Sequence, residues 1–453
     1  MKRTLVLLST IFAFALLASL QAAEEPGDEV IQLIIGLVSD KDKDMRSVGL
    51  QQVREEAKGA AATKRFAALL PKLPAEAQAG MLDALGDRGD KAARPAVLEM
   101  LKSKEEQVRA SALRALANIG ETADVPTLAQ SLTAAGPEKA AARISLAKLR
   151  GPEINAAIVA ELKTAKAEAR AELLGALAAR KAAECVHSVI TAAEDADPAV
   201  RAAALAALRV LADQKQTGAI VKLLKAAKEG QEQWKAEQAL LAVCTRGREA
   251  CVEPILAGAK DADASAGAAL LRALARCGGA KALEAIVAAT KEQRAEVRAE
   301  AVRALANWPD PSAIPALRAI AQQAEPIAQQ GVAVEGLVRL ASPGKDRPAN
   351  VALLGEAMKL ARRTQEKRLV LGVLGGLGTP EALALVAPMI DDPSLTDEAC
   401  LAAVLIVEKL SAADQARQKA VLEKACDKAK DPEIRERAKK GVAPKRARIG
   451  PDF

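Results

Sequence analysis

The chain has 453 residues, of which 50% are apolar and 27% are charged, while only 1% are aromatic and a single residue is His. These counts exclude a zinc site built from His and Cys clusters, because the six cysteines contain no C-x-x-C pair, and they leave few aromatic side chains to line a flat apolar pocket. The formal charge of +7 lies mostly at the two ends of the chain. It falls to +5 without Lys2 and Arg3, and residues 437–453 carry +5 by themselves. The chain between these ends is therefore neutral overall, so nucleic-acid binding is not expected.

Residues 1–23 have the features of a secretory signal peptide. Two basic residues precede an apolar run at 5–20, which ends in small residues, and cleavage is expected after Ala22 or Ala23. An uncleaved membrane anchor is the alternative, but the run is shorter than the ~20 residues that a membrane span needs. We therefore expect an exported protein, either periplasmic or secreted.

A pattern that recurs about every 31 residues begins after this leader and continues almost to the end of the chain. In the copy EEQVRASALRALANIG, Leu113 and Leu116 follow Arg109 by four and seven residues. Twelve copies place aliphatic residues in both slots, and a degenerate thirteenth begins near Arg435. The other pairs are Leu50/Val53, Leu82/Leu85, Leu146/Leu149, Leu174/Leu177, Leu205/Leu208, Leu240/Val243, Leu271/Leu274, Val302/Leu305, Val334/Leu337, Leu371/Leu374 and Val404/Val407.

Each copy reads as two helices. In the copy containing Arg298, Ile286 and Val287 belong to a first apolar stripe, a charged turn follows, and Val302 and Leu305 lie on a second stripe. Spacings of three, four and seven residues place each stripe on one helical face. One such pair cannot bury both faces alone, so neighbouring pairs must stack. We predict an all-α solenoid of about 12–13 helix pairs without a sheet.

The turn-and-helix segments DADPAVRAAALAALRVL (195–211), KEEQVRASALRALANIG (104–120) and RAEVRAEAVRALANW (294–308) resemble HEAT repeats, particularly the bacterial HEAT-like type of phycobilisome lyases. The resemblance implies a right-handed α-α superhelix. It also implies a ladder in which an acidic residue of the turn pairs with the Arg that opens the second helix; the matching pairs are Asp44/Arg46, Glu106/Arg109, Glu168/Arg170, Asp197/Arg201, Glu296/Arg298 and Asp431/Arg435. Gly267, Gln330 and Cys400 depart from this pattern, which breaks the ladder after the middle.

One irregularity interrupts the array after its tenth copy. The segment SPGKDRPAN at 342–350 is rich in residues that cannot continue a helix, which predicts an inserted loop or kink. The predicted parts of the chain are a signal peptide at 1–23, a block of about ten repeats at 24–340, the loop at 341–352, a block of about three repeats at 353–440 and a basic disordered tail at 441–453.

The sequence carries no catalytic motif. It has no P-loop, no nucleophile elbow, no dinucleotide fingerprint and no paired His-Glu motif, and His187 fits a solvated or capping role better than a ligand role. We therefore predict a non-catalytic exported scaffold without a cofactor that binds a protein or extended peptide along the concave face. A lyase acting on a bound chromophore, by resemblance to the phycobilisome lyases, is the enzyme alternative.

The second helices supply a candidate partner site. Small apolar residues and Leu241 precede a basic stripe formed by Arg272, Arg276, Arg303 and Arg339, all in slots predicted to face the concave side. An apolar floor beside a basic stripe suits an acidic peptide or protein. In the alternative interpretation, these are ordinary helix-forming and surface residues.

The basic tail supports a second hypothesis from a different class. Six basic residues between Arg437 and Arg448 stand against the single acid Asp452. An envelope-associated factor could use this tail to bind an anionic polymer or lipid, so membrane contact is expected only peripherally. We otherwise expect a monomer.

An exported protein can oxidise its cysteines. The repeat register predicts one bridge between Cys400 and Cys426 and another between Cys251 and either Cys244 or Cys277, which leaves Cys185 free. The alternative is six reduced thiols, because a buried Cys packs as a small hydrophobic residue.

Overall fold

The structure, a computed structural model, describes residues 27–228, 230–323, 327–341, 347–411, 414 and 418–442. The predicted signal peptide and most of the basic tail lie outside these residues. The chain divides into two compact units, residues 1–212 and 213–453. This boundary differs from the predicted division at 341–352.

All regular structure within the described residues is helical, which confirms the all-α solenoid. Unit 1 contains α1 Asp28–Val38, α2 Lys43–Glu55, α3 Ala60–Ala67, α4 Ala75–Arg88, α5 Arg94–Met100, α6 Glu106–Ile119, α7 Val125–Ser131, α8 Gly136–Lys148, α9 Ile154–Glu161, α10 Ala167–Ala179, α11 Val186–Ala192 and α12 Pro198–Leu211. Unit 2 contains α13 Thr217–Ala226, α14 Gln231–Gly247, α15 Val252–Ala259, α16 Ala264–Cys277, α17 Ala280–Ala289, α18 Ala295–Ala306, α19 Ile314–Gln322, α20 Ile327–Ala341, α21 Arg347–Leu360, α22 Thr364–Leu377, α23 Pro380–Val386, α24 Thr396–Lys409, α25 Lys419–Lys428 and α26 Pro432–Val442. Odd-numbered helices are the first members of pairs and even-numbered helices the second members, which makes six described pairs in unit 1 and seven in unit 2.

The recurring aliphatic slots form the core, as the spacing predicts. Leu113 and Leu116 on α6 are at most 1% exposed, and Val334 and Leu337 on α20 are fully buried. The same slots are buried in the other copies except at Leu50, which is half-buried. Each helix pair therefore buries apolar side chains, and burial between neighbouring helix pairs stabilises the solenoid.

The predicted arginine ladder fastens the turns rather than pairing with the acids of those turns. Arg46, Arg109 and Arg201 each donate from Nη1 to two backbone carbonyl oxygens, five and six residues earlier, at 2.8–2.9 Å. Arg298 does the same with the carbonyl oxygens of residues 292 and 293. These bonds satisfy carbonyl groups of the turn between the two helices, which lie outside the hydrogen-bond ladder of either helix.

The carboxylates that contact two of the ladder arginines belong to the following helix pair. Arg109 Nη2 donates to Glu138 Oε1 at 2.5 Å, and Arg170 Nη1 donates to Asp195 Oδ2. Asp197, which was predicted to pair with its own Arg, instead caps α12 and accepts from the backbone N–H of Ala199 at 2.8 Å. The contacts in the structure therefore differ from the predicted pairs.

The predicted loop at 341–352 is shorter than expected. Helix α21 begins at Arg347, and Pro348 is its second residue. Proline is compatible with this position because the first turn of a helix has no acceptor for its N–H groups. Residues 342–346 lie outside the described residues.

Candidate functional site

The predicted partner-binding residues lie on four consecutive second helices of unit 2. Leu241 is on α14, Arg272 and Arg276 are on α16, Arg303 is on α18 and Arg339 is on α20. We call the exposed side of α14, α16 and α18 the B face. Its geometry decides which of these side chains remain available to a partner.

A chain of ion pairs runs across the B face. The Arg272 guanidinium donates from Nε to Glu237 Oε1 at 2.5 Å and from Nη2 to Glu237 Oε2 at 2.8 Å, and its Nη1 donates to Glu300 Oε2 at 3.0 Å. Arg303 donates from Nη2 to the same Glu300 oxygen at 2.7 Å. Hydrogen bonding to Glu237 raises the pKa of the Arg272 guanidinium above its ordinary value. We call Glu237, Arg272, Glu300 and Arg303 the ion chain; with two positive and two negative groups, it carries no net charge.

The predicted basic stripe is therefore not a free positive surface. Glu237 and Glu300 neutralise Arg272 and Arg303. Only the fold brings these charges together. Arg339 donates from Nε to the carbonyl oxygen of Ala306 at 2.7 Å and thus holds the end of α18. Arg272, Arg303 and Arg339 are thus engaged within the chain, and their contact with an acidic partner stays a prediction.

Three side chains of the B face remain open. Arg276 is exposed and has no ion pair or side-chain hydrogen bond to any described residue, and Leu241 is half-buried. Trp234 lies seven residues before Leu241 on α14, hence on the same side of the helix, and is 55% exposed. The sequence reasoning missed Trp234 as a site residue. The available signal was a large aromatic residue in a slot that holds Ser265 and Glu296 in the next two units.

The other described aromatic side chains belong to the core. Trp308 is 1% exposed and donates from Nε1 to Ser312 Oγ at 3.0 Å, and Phe66 is fully buried. Of the three described aromatic side chains, two thus lie inside and one lies on the B face. At 55% exposure, more than half of the Trp234 surface remains accessible to a partner.

The lone histidine, the metal-binding potential and a cavity of the described residues bear on whether the chain has a second kind of site. His187 is exposed, and among the described residues no group of His, Cys, Asp and Glu side chains is arranged to hold a metal ion. An open cavity of about 490 Å³ lies between the first helices α21 and α23, where Glu356 is already paired with Arg318. In the part of the chain that the structure describes, no helix combines the length and apolar character of a membrane span.

The six cysteines are free thiols in the structure, which contains neither of the predicted bridges. Hydrogen bonding to the Cys277 thiol raises the pKa of the Cys244 thiol, and Cys251 acts in the same direction, so the three thiols lie close together. All three are buried. Cys400 is also buried, and burial raises the pKa of its thiol to about 11.

The basic tail is partly neutralised where it can be described. Arg437 Nη2 lies 2.8 Å from Glu408 Oε2, and Lys439 Nζ lies 2.9 Å from Glu436 Oε1. Two of the six basic side chains counted in the tail therefore belong to ion pairs of α26, and a third, Lys440, is exposed. The other three, beyond Val442, lie outside the described residues.

Comparisons with known proteins agree with the helical architecture. Residues 63–147 and 252–338 match the family model described as HEAT repeats. No curated protein sequence matches the chain. Among solved structures, the karyopherin Kap121p bound to the extreme C-terminus of the protein phosphatase Cdc14p is similar with a TM-score of 0.52 and 14% identity, covering 97% of this chain and 56% of that chain.

Two further solved structures are similar over most of this chain. Importin beta has a TM-score of 0.36 and 13% identity, with 91% of this chain and 72% of that chain covered. An engineered protein has a TM-score of 0.28 and 19% identity, with 92% and 98% covered. At these identities a likeness concerns the fold alone, and the chain spans little more than half the length of Kap121p.

Proposed function

We propose that this protein, which carries HEAT repeats, is a non-catalytic scaffold that binds a protein or an extended peptide on the B face of unit 2. The observation that carries the proposal is Trp234, the one described aromatic side chain that is exposed rather than buried. Trp and Arg dominate the energetics of protein interfaces because they combine large contact area with polar groups. Trp234, Leu241 and Arg276 provide both on one face.

The ion chain supplies the floor of this face. Its side chains are already held by bonds of 2.5–3.0 Å, so a partner need not order them on binding. Because this ion chain carries no net charge, it favours a partner with alternating charges and an apolar side chain rather than a uniformly acidic one. Arg276 offers a single cation for a carboxylate of that partner.

The fold supports this class of partner. The Kap121p structure with the similar fold holds the extreme C-terminus of Cdc14p, which shows that an α-solenoid of that fold can hold a peptide. We propose the same class of partner here, with contacts made by this chain's own residues. The sequence carries no catalytic or cofactor motif that would add a reaction.

Export is a further part of the proposal. The leader at 1–23 supports removal of a signal peptide and a periplasmic or secreted location. Sequencing the amino terminus of the protein isolated from its own cells should give Ala23 or Glu24 as the first residue. Recovery of Met1 would contradict the export.

A capture experiment tests the binding face. The full chain is used as bait in the exported fraction, together with Trp234→Ala, Arg276→Glu and the control Lys260→Glu, which reverses an exposed charge directly after the first helix α15. Proteins retained by the wild type and the control but reduced about tenfold by both B-face variants are the expected result. Equal retention by all four proteins would place the site elsewhere.

A further inference from the structure

The first helix pair exposes large apolar side chains on its outer side. Val30 is 44%, Leu33 66%, Met45 42% and Val48 49% exposed. Single exposed apolar residues need no explanation, but four on one helix pair point to an interaction surface. We call these four side chains of α1 and α2 the leading face.

In later helix pairs, the positions equivalent to these side chains can be compared for contact with the preceding helix pair. Arg65, in the slot of Leu33, forms an ion pair with Asp28 of the pair before it. Glu172, in the slot of Val48, pairs with Arg143 of the preceding unit at 2.6 Å. The slot of Val30 is covered in the next units as well, where its occupants are Ala62, Ala93, Asp124 and Ile154, all at most 2% exposed. The slots of Val30 and Leu33 are thus covered by the preceding helix pair in these inner copies, whereas the slot of Val48 also holds Ile144 and Leu369, which are 44% and 43% exposed.

The two ends of the described array differ in chemistry. The last described pair exposes Arg435, Glu436, Lys439 and Lys440 on α26. A polar outer side of this kind is how a terminal repeat stays in contact with water. Stacking a leading face on that charged surface would bury charges against Leu33, whereas stacking it on another leading face buries apolar side chains against each other.

We propose that the leading face binds the leading face of a second copy of this chain. Contact between identical faces is related by a two-fold axis, so assembly closes at a dimer. The proposal revises the expectation of a monomer, and it stands apart from the B face and its partner.

The size of the face sets the strength of the contact. Helices of 11 and 13 residues are about 16 and 20 Å long and pack about 10 Å apart, which gives roughly 400 Å² per copy. A stable interface buries about 800 Å² per partner, so the dimer should be weak. We expect dimer at about 100 μM and monomer at about 1 μM.

Sedimentation velocity of the full chain between these concentrations tests the proposal. The variants are Leu33→Asp and Val48→Asp, with Leu369→Asp as the control because Leu369 is 43% exposed on α22 in unit 2. Circular dichroism confirms that each variant retains its helices. The expected result is a concentration-dependent dimer in the wild type and the control, with a dissociation constant raised at least about tenfold in the two leading-face variants.

Three outcomes would overturn the proposal. The first is a chain that remains monomeric at every concentration. The second is a dimer that Leu33→Asp and Val48→Asp leave unchanged. The third is an open series of larger assemblies, because a contact between two identical faces closes at two copies.

Discussion

Glu300 joins the ion chain of the B face, and its removal has a predictable effect on stability. Its residue is 7% exposed, and its Oε2 accepts from Arg272 Nη1 at 3.0 Å and from Arg303 Nη2 at 2.7 Å. The two arginine side chains are 39% and 51% exposed, so solvent screens each pair and each lost contact costs about 0.5–1 kcal/mol. Glu300→Ala should therefore lower the free energy of unfolding by about 1–2 kcal/mol.

Trp308 is a local reporter for this measurement. It follows α18, the helix that carries Glu300, and it is buried, so its emission shifts when this part of unit 2 unfolds. Urea unfolding is followed at this residue in a Trp234→Phe background. The control is Glu253→Ala, which removes a pair between two exposed side chains and should leave the midpoint nearly unchanged. A loss for Glu300→Ala no larger than that of the control would refute the role of the ion chain.

Three further predictions follow from packing. Trp308→Ala should lower the free energy of unfolding in urea by about 3–5 kcal/mol because it empties a buried site, and a loss under about 1 kcal/mol would place the ring outside the core. Gly336→Ala should lower the melting temperature, since its Cβ would lie 2.7 Å from the backbone of the neighbouring second helix. In Gly372→Ala the new Cβ meets no atom within 4 Å, so this variant should stabilise the protein by about 0.5–1 kcal/mol. A Gly336→Ala protein more stable than Gly372→Ala would contradict the packing. Without reductant, a thiol reagent should modify one cysteine quickly in the native protein, the half-buried Cys426, and all six in denaturant; fewer than six would indicate the bridges predicted from the sequence.

The architecture could be predicted because its determinants are local. Leu113 and Leu116 lie three residues apart on one helix, and the same spacing returns in every copy, so one periodic pattern specifies both the helix and its buried side. Stacking then follows from the need to bury that side. Pro348 misled the prediction of a loop, because a proline is compatible with the first turn of a helix as well as with a loop.

The B face could not be predicted in the same way because its determinants are distant. Glu237 lies 35 residues before Arg272 and Glu300 lies 28 residues after it, so the sequence shows the sign of each charge but not which charges meet. The glycines of α22 illustrate the same limit, since Gly375 lies against the next second helix while Gly372 has open space. Exposure of Trp234 likewise depends on neighbours in other units.

The emission of Trp234 tests the central claim most directly, because the other Trp is already buried and reports no change of solvent at the B face. A partner recovered by the capture experiment is titrated into the full chain and into Trp234→Phe. We predict a saturable blue shift in the wild type that is absent in Trp234→Phe, since a bound partner removes an exposed indole from water. Saturable binding detected independently, with no change in the emission of the wild type, would contradict a site at the B face.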